Sequence, residues 1–243
     1  QNGAIYSADK NLGIVQLHGK KLSYNNYNDI FSALTISKSF PKNTGTVIIK
    51  HSNPCGASIS NNHLNSYYSA LACDPISAYG GIISFNYKIT KKLAIQISKI
   101  FFEVIIANGF EKSALKILKR KKNLRIIVSE NLITSNKYSY ISNFNSILFQ
   151  SLDSNKFDKK NFKIVSNKKP NFKQFQDLIF AFNVCKNVKS NAIVIANNKS
   201  TLGIGSGQPS RLDSCKIAIK KMNKFQHNNF ENCVAASDAF FPF

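Results

Sequence analysis

The fold class of this chain follows from one short stretch, residues 46–56, which reads TVIIKHSNPCG. A continuous run of β-branched residues next to turn residues is typical of a buried strand, so we expect a strand at 46–49. Proline and glycine then predict a loop at 51–56, which begins directly after Lys50. In α/β proteins, such strand ends carry many of the groups that bind ligands or react with them.

Short apolar runs alternate with segments of helical spacing on both sides of this stretch, which predicts an α/β protein. A helix at 62–73 should end at Asp74, because the residue before a proline is driven out of the helical region. The further expected strands cover 81–85, 104–106, 124–128, 192–195 and 201–204, and the further expected helices cover 91–102, 111–121, 172–188 and 210–223. Residues 129–171 are polar with little periodicity, so they either form inserted strands or link two subdomains.

The 243 residues carry a formal net charge of +21. Such an excess of positive charge can attract anions such as nucleic acids or phosphorylated metabolites. Lysine, asparagine and isoleucine are abundant along the whole chain, however, so we favour a compositional origin of the charge. A basic nucleic-acid-binding module, which stays open as an alternative, would interleave aromatic and basic residues on one surface, and the sequence shows no such pattern.

The cysteines and the apolar runs bear on the compartment. Five cysteines, an odd number without a CxxC pair, indicate reduced thiols and a cytoplasmic protein. The longest apolar stretch, 95–110, is interrupted by charges and is too short for a bilayer, so we expect no membrane contact. The sequence starts at Gln1 and stops within an apolar segment at Phe243, so we expect it to be truncated at both ends.

Lys50 and His51 are the first candidates for catalysis. A histidine can accept a proton near neutral pH, and a neighbouring ammonium group favours the neutral ring that a general base requires. A surface lysine beside a capping histidine explains the same dipeptide, and on spacing alone we favour that interpretation.

Two further motifs allow alternative sites. His51 and Cys55 have the separation of zinc ligands, but the glutamate and the second cysteine of zinc deaminases are absent, so we expect no metal site. Residues 203–208, GIGSGQ, resemble a phosphate-binding loop but lack its GxGxxG spacing. The alternate glycines predict close contact with either a ligand or another backbone segment, and Arg211 just beyond them can clamp an anionic group.

Five blocks, in order along the chain, carry a resemblance to a known family. They read LSYNN at 22–26, VIIKHSNPCGA at 47–57, DPISAYGGIISFN at 74–86, KSNAIVIA and GIGSGQPSR within 189–211, and SDAFFPF at 237–243. Together they resemble the aminoimidazole carboxamide ribonucleotide (AICAR) transformylase part of a bifunctional purine-biosynthesis protein that also carries an inosine monophosphate (IMP) cyclohydrolase. Each block alone is weak evidence, whereas their order and spacing together are specific.

The resemblance implies a cytidine-deaminase-like α/β fold of duplicated mixed-sheet subdomains, at 1–130 and 131–243, with flanking helices. It implies transfer of the formyl group of 10-formyltetrahydrofolate to the 5-amino group of AICAR, giving FAICAR and tetrahydrofolate. Members of the family are homodimers with sites at the subunit interface, so we expect a homodimer that binds small molecules and no nucleic acid. The reaction uses no catalytic metal, although some relatives bind potassium near the segments that contain Ser190 and Asp238.

Residue roles also follow from the resemblance. Lys50 and His51 match a catalytic lysine–histidine pair, and Asn191 matches a catalytic asparagine. His51 would then manage the amine proton, Asn191 would donate a hydrogen bond to the oxyanion, and Lys50 would supply positive charge or a proton. The residues that match substrate contacts are Tyr24, Asn25, Tyr79, Gly80, Glu103, Arg211, Leu212, Phe240 and Phe243.

The sequence also departs from the family pattern. It lacks the cyclohydrolase domain. It also lacks the upstream arginine and tyrosine that help to hold the substrate phosphate in the family. Asn108 stands where a proline is common, and Pro209 is unusual at its position. These departures keep open a further alternative, an inactive remnant of the transformylase.

Overall fold

The computed structural model describes residue 5 and residues 12–129, 138–153, 162–226 and 230–241. Phe243, one of the predicted substrate contacts, lies outside the described residues. The helices are α1 (Tyr24–Ser39), α2 (His63–Cys73), α3 (Pro75–Ala78), α4 (Lys91–Ile97), α5 (Lys112–Leu118), α6 (Phe172–Cys185) and α7 (Arg211–Phe225). The strands are β1 (Val15–His18), β2 (Gly45–Lys50), β3 (Asn53–Ile59), β4 (Ile82–Ile89), β5 (Val104–Phe110), β6 (Arg125–Val128), β7 (Tyr138–Asn143), β8 (Ser146–Ser151), β9 (Ile193–Asn197), β10 (Ser200–Gly205) and β11 (Val234–Ser237).

Nine of the described strands form one mixed sheet in the order β1-β6-β5-β4-β2-β3-β10-β9-β11, which confirms the α/β class. β4, β5 and β6 run parallel to one another, and the other neighbouring strands are antiparallel. β3 pairs with β10 at Ser58 and Ser200, so strands from before and after residue 130 share this sheet. The division into subdomains at 1–130 and 131–243, and their duplication, stay predictions.

β2 shows that the centre of the sheet is buried on both faces. Val47 and Ile49 face one layer of the core and Ile48 faces the other, and all three side chains are fully buried. α1 and α6 cover the first layer, and α2, α4 and α5 cover the second. Burial on both faces explains why this strand is a continuous apolar run and does not alternate with polar residues. None of the described helices combines the length and the apolar character that a membrane span requires.

The sequence prediction missed α1, which begins at a capping box. The Ser23 hydroxyl accepts a hydrogen bond from the main-chain N–H of Asn26, and the Asn26 side chain accepts one from the main-chain N–H of Ser23. Asn26 is buried in this cap, whereas Tyr24 and Asn25 are exposed. The cap therefore determines where the exposed first turn of α1 lies.

The observed elements differ from the prediction in several places. The predicted loop at 51–56 is wrong, because β3 already begins at Asn53 and only two residues connect it to β2. The predicted helix at 91–102 is too long, since α4 ends at Ile97. The polar stretch after residue 129 contains the hairpin of β7 and β8, a separate two-stranded sheet, which agrees with the alternative of inserted strands.

Gly203 and Gly205 of β10 face α7 at short range. A β-carbon on Gly203 would lie 2.1 Å from the carbonyl oxygen of Ala218, and one on Gly205 would lie 1.8 Å from that of Ser214. The alternate glycines therefore admit another backbone segment, one of the two explanations that the sequence allowed.

Candidate functional site

Most of the predicted site residues lie at one edge of the large sheet. β2 ends at this edge with Lys50, while its antiparallel neighbour β4 and the parallel strand β5 both begin there. The pairs β2–β3, β3–β10 and β10–β9 are all antiparallel, so β10 ends and β9 begins at this edge. The residues that the topology brings to it are Lys50, His51, Tyr79, Gly80, Glu103, Asn191, Arg211 and Asp238.

His51 lies in the two-residue turn between β2 and β3. Lys50 pairs with Asn53 across this turn, and His51 and Ser52 have positive φ angles of 52° and 62°. Two successive residues with positive φ are typical of a type I′ hairpin turn, which asparagine and glycine usually occupy. For residues with a β-carbon this conformation costs roughly 1–2 kcal/mol each, so the local sequence does not favour the turn.

Asp29 on α1 supplies the contacts that hold the turn. Its carboxylate accepts hydrogen bonds from the main-chain N–H of His51 at 3.2 Å and from that of Ser52 at 2.7 Å. The Ser52 hydroxyl donates to the same carboxylate at 3.1 Å and accepts a hydrogen bond from the Asn28 side chain at 2.7 Å. One anion therefore binds both main-chain donors of the turn, beside the exposed residue His51.

The ammonium group of Lys50 lies at the start of β4. Its Nζ donates to the main-chain carbonyl of Tyr79 at 2.7 Å. Gly80 follows with a φ of 71°, and its N–H donates to the Phe101 carbonyl at 2.8 Å. The Tyr79 ring is 61% exposed and contacts the Phe101 ring, with the ring centroids 5.4 Å apart. Lys50 thus places a positive charge beside an exposed aromatic surface.

Glu103 lies further along the same edge, just before β5. Its carboxylate accepts a hydrogen bond from the Asn26 side chain at 3.1 Å and lies 3.9 Å from the guanidinium of Arg125. Asn26 belongs to the first turn of α1, so this contact brings the exposed residues Tyr24 and Asn25 to the same edge. The predicted contacts on α1 and just before β5 are therefore neighbours.

Asn191 lies in the loop before β9, and its side chain has partners within the protein. The amide group donates to the main-chain carbonyls of Gln208 at 2.8 Å and Pro209 at 2.9 Å. The amide oxygen accepts a hydrogen bond from Nη2 of Arg211 at 2.7 Å. Both amide hydrogens are engaged, so an oxyanion must displace one of the two carbonyls before Asn191 can donate to it.

Arg211 and Asp238 form a mostly buried ion pair next to Asn191. The Arg211 guanidinium donates to Asp238 and, at 2.8 Å, to the Ser237 hydroxyl. Asp238 also accepts hydrogen bonds from the Ser190 hydroxyl and from the main-chain N–H of Ala192. Burial alone would raise the pKa of Asp238, but these hydrogen bonds and the Arg211 charge outweigh it and lower the pKa to about 2.

Asn53 joins the two groups of residues. Its Oδ1 accepts a hydrogen bond from the main-chain N–H of Lys189 at 3.0 Å, and its Nδ2 donates to the His51 carbonyl at 3.3 Å. The main-chain N–H of Gly207 donates to the Lys189 carbonyl at 2.8 Å, which connects the loop before β9 to the end of β10. The predicted catalytic residues therefore lie on two loops that one side chain holds together.

Sequence reasoning missed both Asp29 and Asn53. Asn53 could have been found from its position directly after His51 and Ser52. A turn without glycine needs hydrogen-bond partners for its main chain, and an asparagine next to it can supply one. Asp29 gives no local sign, since only the packing of α1 against the sheet brings it to the turn.

Leu212 and Phe240 extend from the same edge into solvent, with exposed fractions of 58% and 81%. A shallow groove runs along α1 beside the turn and is lined by Asn28, Phe31, Ser32, Thr35 and Asn187, none of which is a predicted site residue. Within the described residues, the predicted site is thus an open surface of the single chain.

The described residues contain no group of three or more histidine, cysteine, aspartate or glutamate side chains that could hold a metal ion. Where the resemblance places potassium, the Ser190 hydroxyl donates to Asp238, and Arg211 balances the charge of that carboxylate. Both side chains therefore have partners within the protein, and a potassium requirement stays a prediction.

Comparison with known proteins shows which family the chain matches. Residues 1–221 match the family model described as the AICARFT/IMPCHase bienzyme. The chain is 47% identical over 230 residues to the bifunctional purine biosynthesis protein PurH of Buchnera aphidicola subsp. Schizaphis graminum, covering 94% of this chain and 44% of that protein. It is 42% identical over 253 residues to PurH of Persephonella marina, covering 100% of this chain and 48% of that protein. The chain therefore spans about half the length of the curated relatives it matches.

Proposed function

The chain belongs to the AICARFT/IMPCHase bienzyme family, and from this membership we propose that it carries the formyl-transfer activity of a bifunctional enzyme of purine biosynthesis. The proposed reaction moves the formyl group of 10-formyltetrahydrofolate to the 5-amino group of AICAR, giving FAICAR and tetrahydrofolate. One observation carries the proposal: the turn with Lys50 and His51 and the loop with Asn191 meet at one sheet edge, joined by Asn53. IMP cyclohydrolase activity is proposed as a second activity of the full-length protein to which this chain belongs.

The reaction makes three demands on the protein. The 5-amino nitrogen of AICAR is a weak nucleophile, because its lone pair is delocalised into the ring that bears the carboxamide. This nitrogen attacks the formyl carbon and loses a proton, while the bond from that carbon to the folate nitrogen breaks and the folate nitrogen gains a proton. Between these steps an oxyanion forms on the formyl oxygen and needs stabilisation.

His51 is the proposed general base for the amine proton, either directly or through the carboxamide of the substrate. The main chain of its turn is bound by Asp29, so its ring is presented from a fixed position. Lys50 is held at the Tyr79 carbonyl and supplies positive charge near the oxyanion or a proton for the leaving nitrogen.

Asn191 is the proposed hydrogen-bond donor to the oxyanion. Because its amide hydrogens bind the carbonyls of Gln208 and Pro209, the substrate first has to displace one of them. Arg211 binds the amide oxygen and thereby orients the amide group. Asn191 therefore becomes available only when the substrate binds, unlike the exposed His51.

The exposed predicted contacts support a site that a second subunit completes. Tyr24, Tyr79, Leu212 and Phe240 are each more than half exposed. A folate and a nucleotide that react with each other need walls that exclude water, and this edge of a single chain supplies only part of them. We therefore propose a homodimer, in the cytoplasm, in which a second copy covers this edge.

The test is a formyl-transfer assay on the full-length protein that the gene encodes, with AICAR and 10-formyltetrahydrofolate and with tetrahydrofolate formation followed by absorbance. We expect saturable turnover and saturable binding of AICAR. Binding of DNA or RNA with a steep salt dependence and no turnover would instead support the nucleic-acid alternative. A folded protein that neither turns over nor binds the substrates would be an inactive remnant.

A further inference from the structure

We propose that Asp29 is a positioning residue for the formyl transfer, because it holds the turn of Lys50 and His51 in a conformation that the turn's own sequence disfavours. The inference rests on the proposed function and adds a residue to which the family resemblance gives no role. Asp29 acts through the main chain of His51 and Ser52, without contact to the substrate.

The contacts of Asp29 are directed at the tip of the turn. Oδ2 accepts a hydrogen bond from the main-chain N–H of His51 at 3.2 Å, and Oδ1 accepts from the main-chain N–H of Ser52 at 2.7 Å. These two donors lie between the last paired residues of the hairpin, Lys50 and Asn53, so strand pairing does not satisfy them. One carboxylate on α1 replaces the partners that the hairpin lacks.

The turn needs this support for a steric reason. The φ angles of His51 and Ser52, 52° and 62°, lie in the left-handed region, where a β-carbon crowds the backbone. A turn without the Asp29 contacts would exchange among other hairpin conformations. Each of them changes the direction of the His51 ring, and a displacement of roughly 1 Å can lower a rate by about 100-fold.

Helix α1 fixes the position of Asp29 itself. Ile30, the next residue, is fully buried in the core layer that also contains Val47 and Ile49 of β2. Asn26, one turn earlier on α1, binds Glu103 at 3.1 Å. α1 therefore makes two polar contacts with the site edge, one next to β5 and one at the turn, and both are anchored by buried apolar packing.

The test compares variants of the full-length protein. Asp29→Ala removes both acceptors, and Asp29→Asn keeps the size but only one acceptor. We expect kcat to fall by about 100-fold in Asp29→Ala and by less in Asp29→Asn, with KM for AICAR nearly unchanged, because the loss is one of positioning. Adding Ser52→Gly to Asp29→Ala should restore much of the lost kcat, since glycine adopts positive φ without steric cost.

A matched control lies at the opposite edge of the sheet. The Glu111 carboxylate accepts a hydrogen bond from the main-chain N–H of Lys91 at 2.7 Å, just after β5 ends. Glu111→Gln therefore makes the same carboxylate-to-amide change as Asp29→Asn at a similar contact far from the turn, and it should leave kcat unchanged. Equal kcat values in Asp29→Asn, Asp29→Ala and Glu111→Gln overturn the inference, as does a loss in Asp29→Ala that Ser52→Gly does not recover.

Hydrogen exchange at the main-chain amides of His51 and Ser52 separates this inference from the proposed function. We expect slow exchange in the wild type and fast exchange in Asp29→Ala, without any substrate. Fast exchange at both amides in the folded wild type would contradict the claim that Asp29 stabilises the turn through its hydrogen bonds. If the wild type is inactive but shows the expected exchange pattern, the proposed function is wrong and so is the effect of Asp29 on kcat. The stabilisation of the turn by Asp29 is then still supported. If Asp29→Ala does not fold, Asp29→Asn provides the same comparison.

Discussion

Asn53 accepts a hydrogen bond from the main-chain N–H of Lys189 at 3.0 Å, although 136 positions of the chain separate the two residues. The contact limits how far the turn that carries His51 can move from the loop that carries Asn191. The turn leads into β3 and the loop leads into β9, and β10 lies between these two strands in the sheet. A site built from side chains on separate loops depends on such links, since each loop can otherwise move independently.

Replacement of His51 by alanine removes the proposed general base. We expect kcat for formyl transfer to fall by roughly 100-fold or more, the usual contribution of acid–base catalysis, and Lys50→Ala to lower kcat on a similar scale. Steady-state kinetics with both substrates measure this. The control is His63→Ala, because His63 binds the Asn43 carbonyl near the start of β2, at the opposite edge. Near-normal turnover in His51→Ala would exclude this residue from the mechanism.

Asp238 should stabilise the fold in a pH-dependent way. Its pKa is lowered from 3.8 to about 2, so its contribution is complete above its unfolded-state pKa and is lost as the pH falls through the folded-state value. We expect Asp238→Asn to lower the free energy of unfolding by roughly 1–3 kcal/mol at pH 7, the usual cost of losing hydrogen bonds to a charged group. The difference from the wild type should shrink between about pH 4 and pH 2.

Urea unfolding of both proteins across this pH range measures the effect of Asp238. Asp213→Asn serves as the control, because the pair that Asp213 forms with Lys216 at 3.7 Å is exposed. We expect it to change the free energy of unfolding by less than about 0.5 kcal/mol. A difference for Asp238→Asn that stays constant down to pH 2 contradicts the prediction.

Gly205→Ala should destabilise the protein strongly. Its β-carbon would lie 1.8 Å from the Ser214 carbonyl oxygen, so β10 and α7 would have to separate. We expect a loss of about 3 kcal/mol or more in the free energy of unfolding. In Gly109→Ala the nearest atom would be Cγ of Lys88 at 3.6 Å, so that variant should be close to wild type in urea unfolding. Equal stability of the two variants would contradict the packing described for Gly205.

Cysteine reactivity should follow burial. Burial raises the pKa of Cys55 and of Cys73 to about 12, whereas Cys215 is partly exposed. Since the thiolate is the reactive form, iodoacetamide at pH 8 should modify Cys215 first and should modify Cys55 and Cys73 at least about 100-fold more slowly. Mass spectrometry of the native protein follows the labelling, and the same experiment in urea should abolish the difference. Rapid native labelling of Cys73 would show that its site opens readily.

Several elements could be predicted because their signal is local. The apolar run of β2, the helix α2 before Asp74 and the hairpin of β9 and β10 all agree with the periodicity and turn residues of the sequence. Periodicity reports which side chains a strand or helix buries, and this depends only on neighbouring positions. The turn at His51 was missed for the opposite reason: its residues lack the asparagine–glycine signature, and its conformation depends on Asp29.

The amino-acid sequence was thus sufficient for the α/β class, for membership of the family and for the choice of Lys50, His51 and Asn191 as candidates. The tertiary structure was needed to find Asp29 and Asn53 and to show that the Asn191 amide is already engaged. Local sequence patterns report the secondary-structure propensity and the burial of neighbouring residues. The long-range contacts that hold this site join residues 17 to 136 positions apart. The pairing of β10 with β9 and with β3 and the packing of α1 bring these residues together.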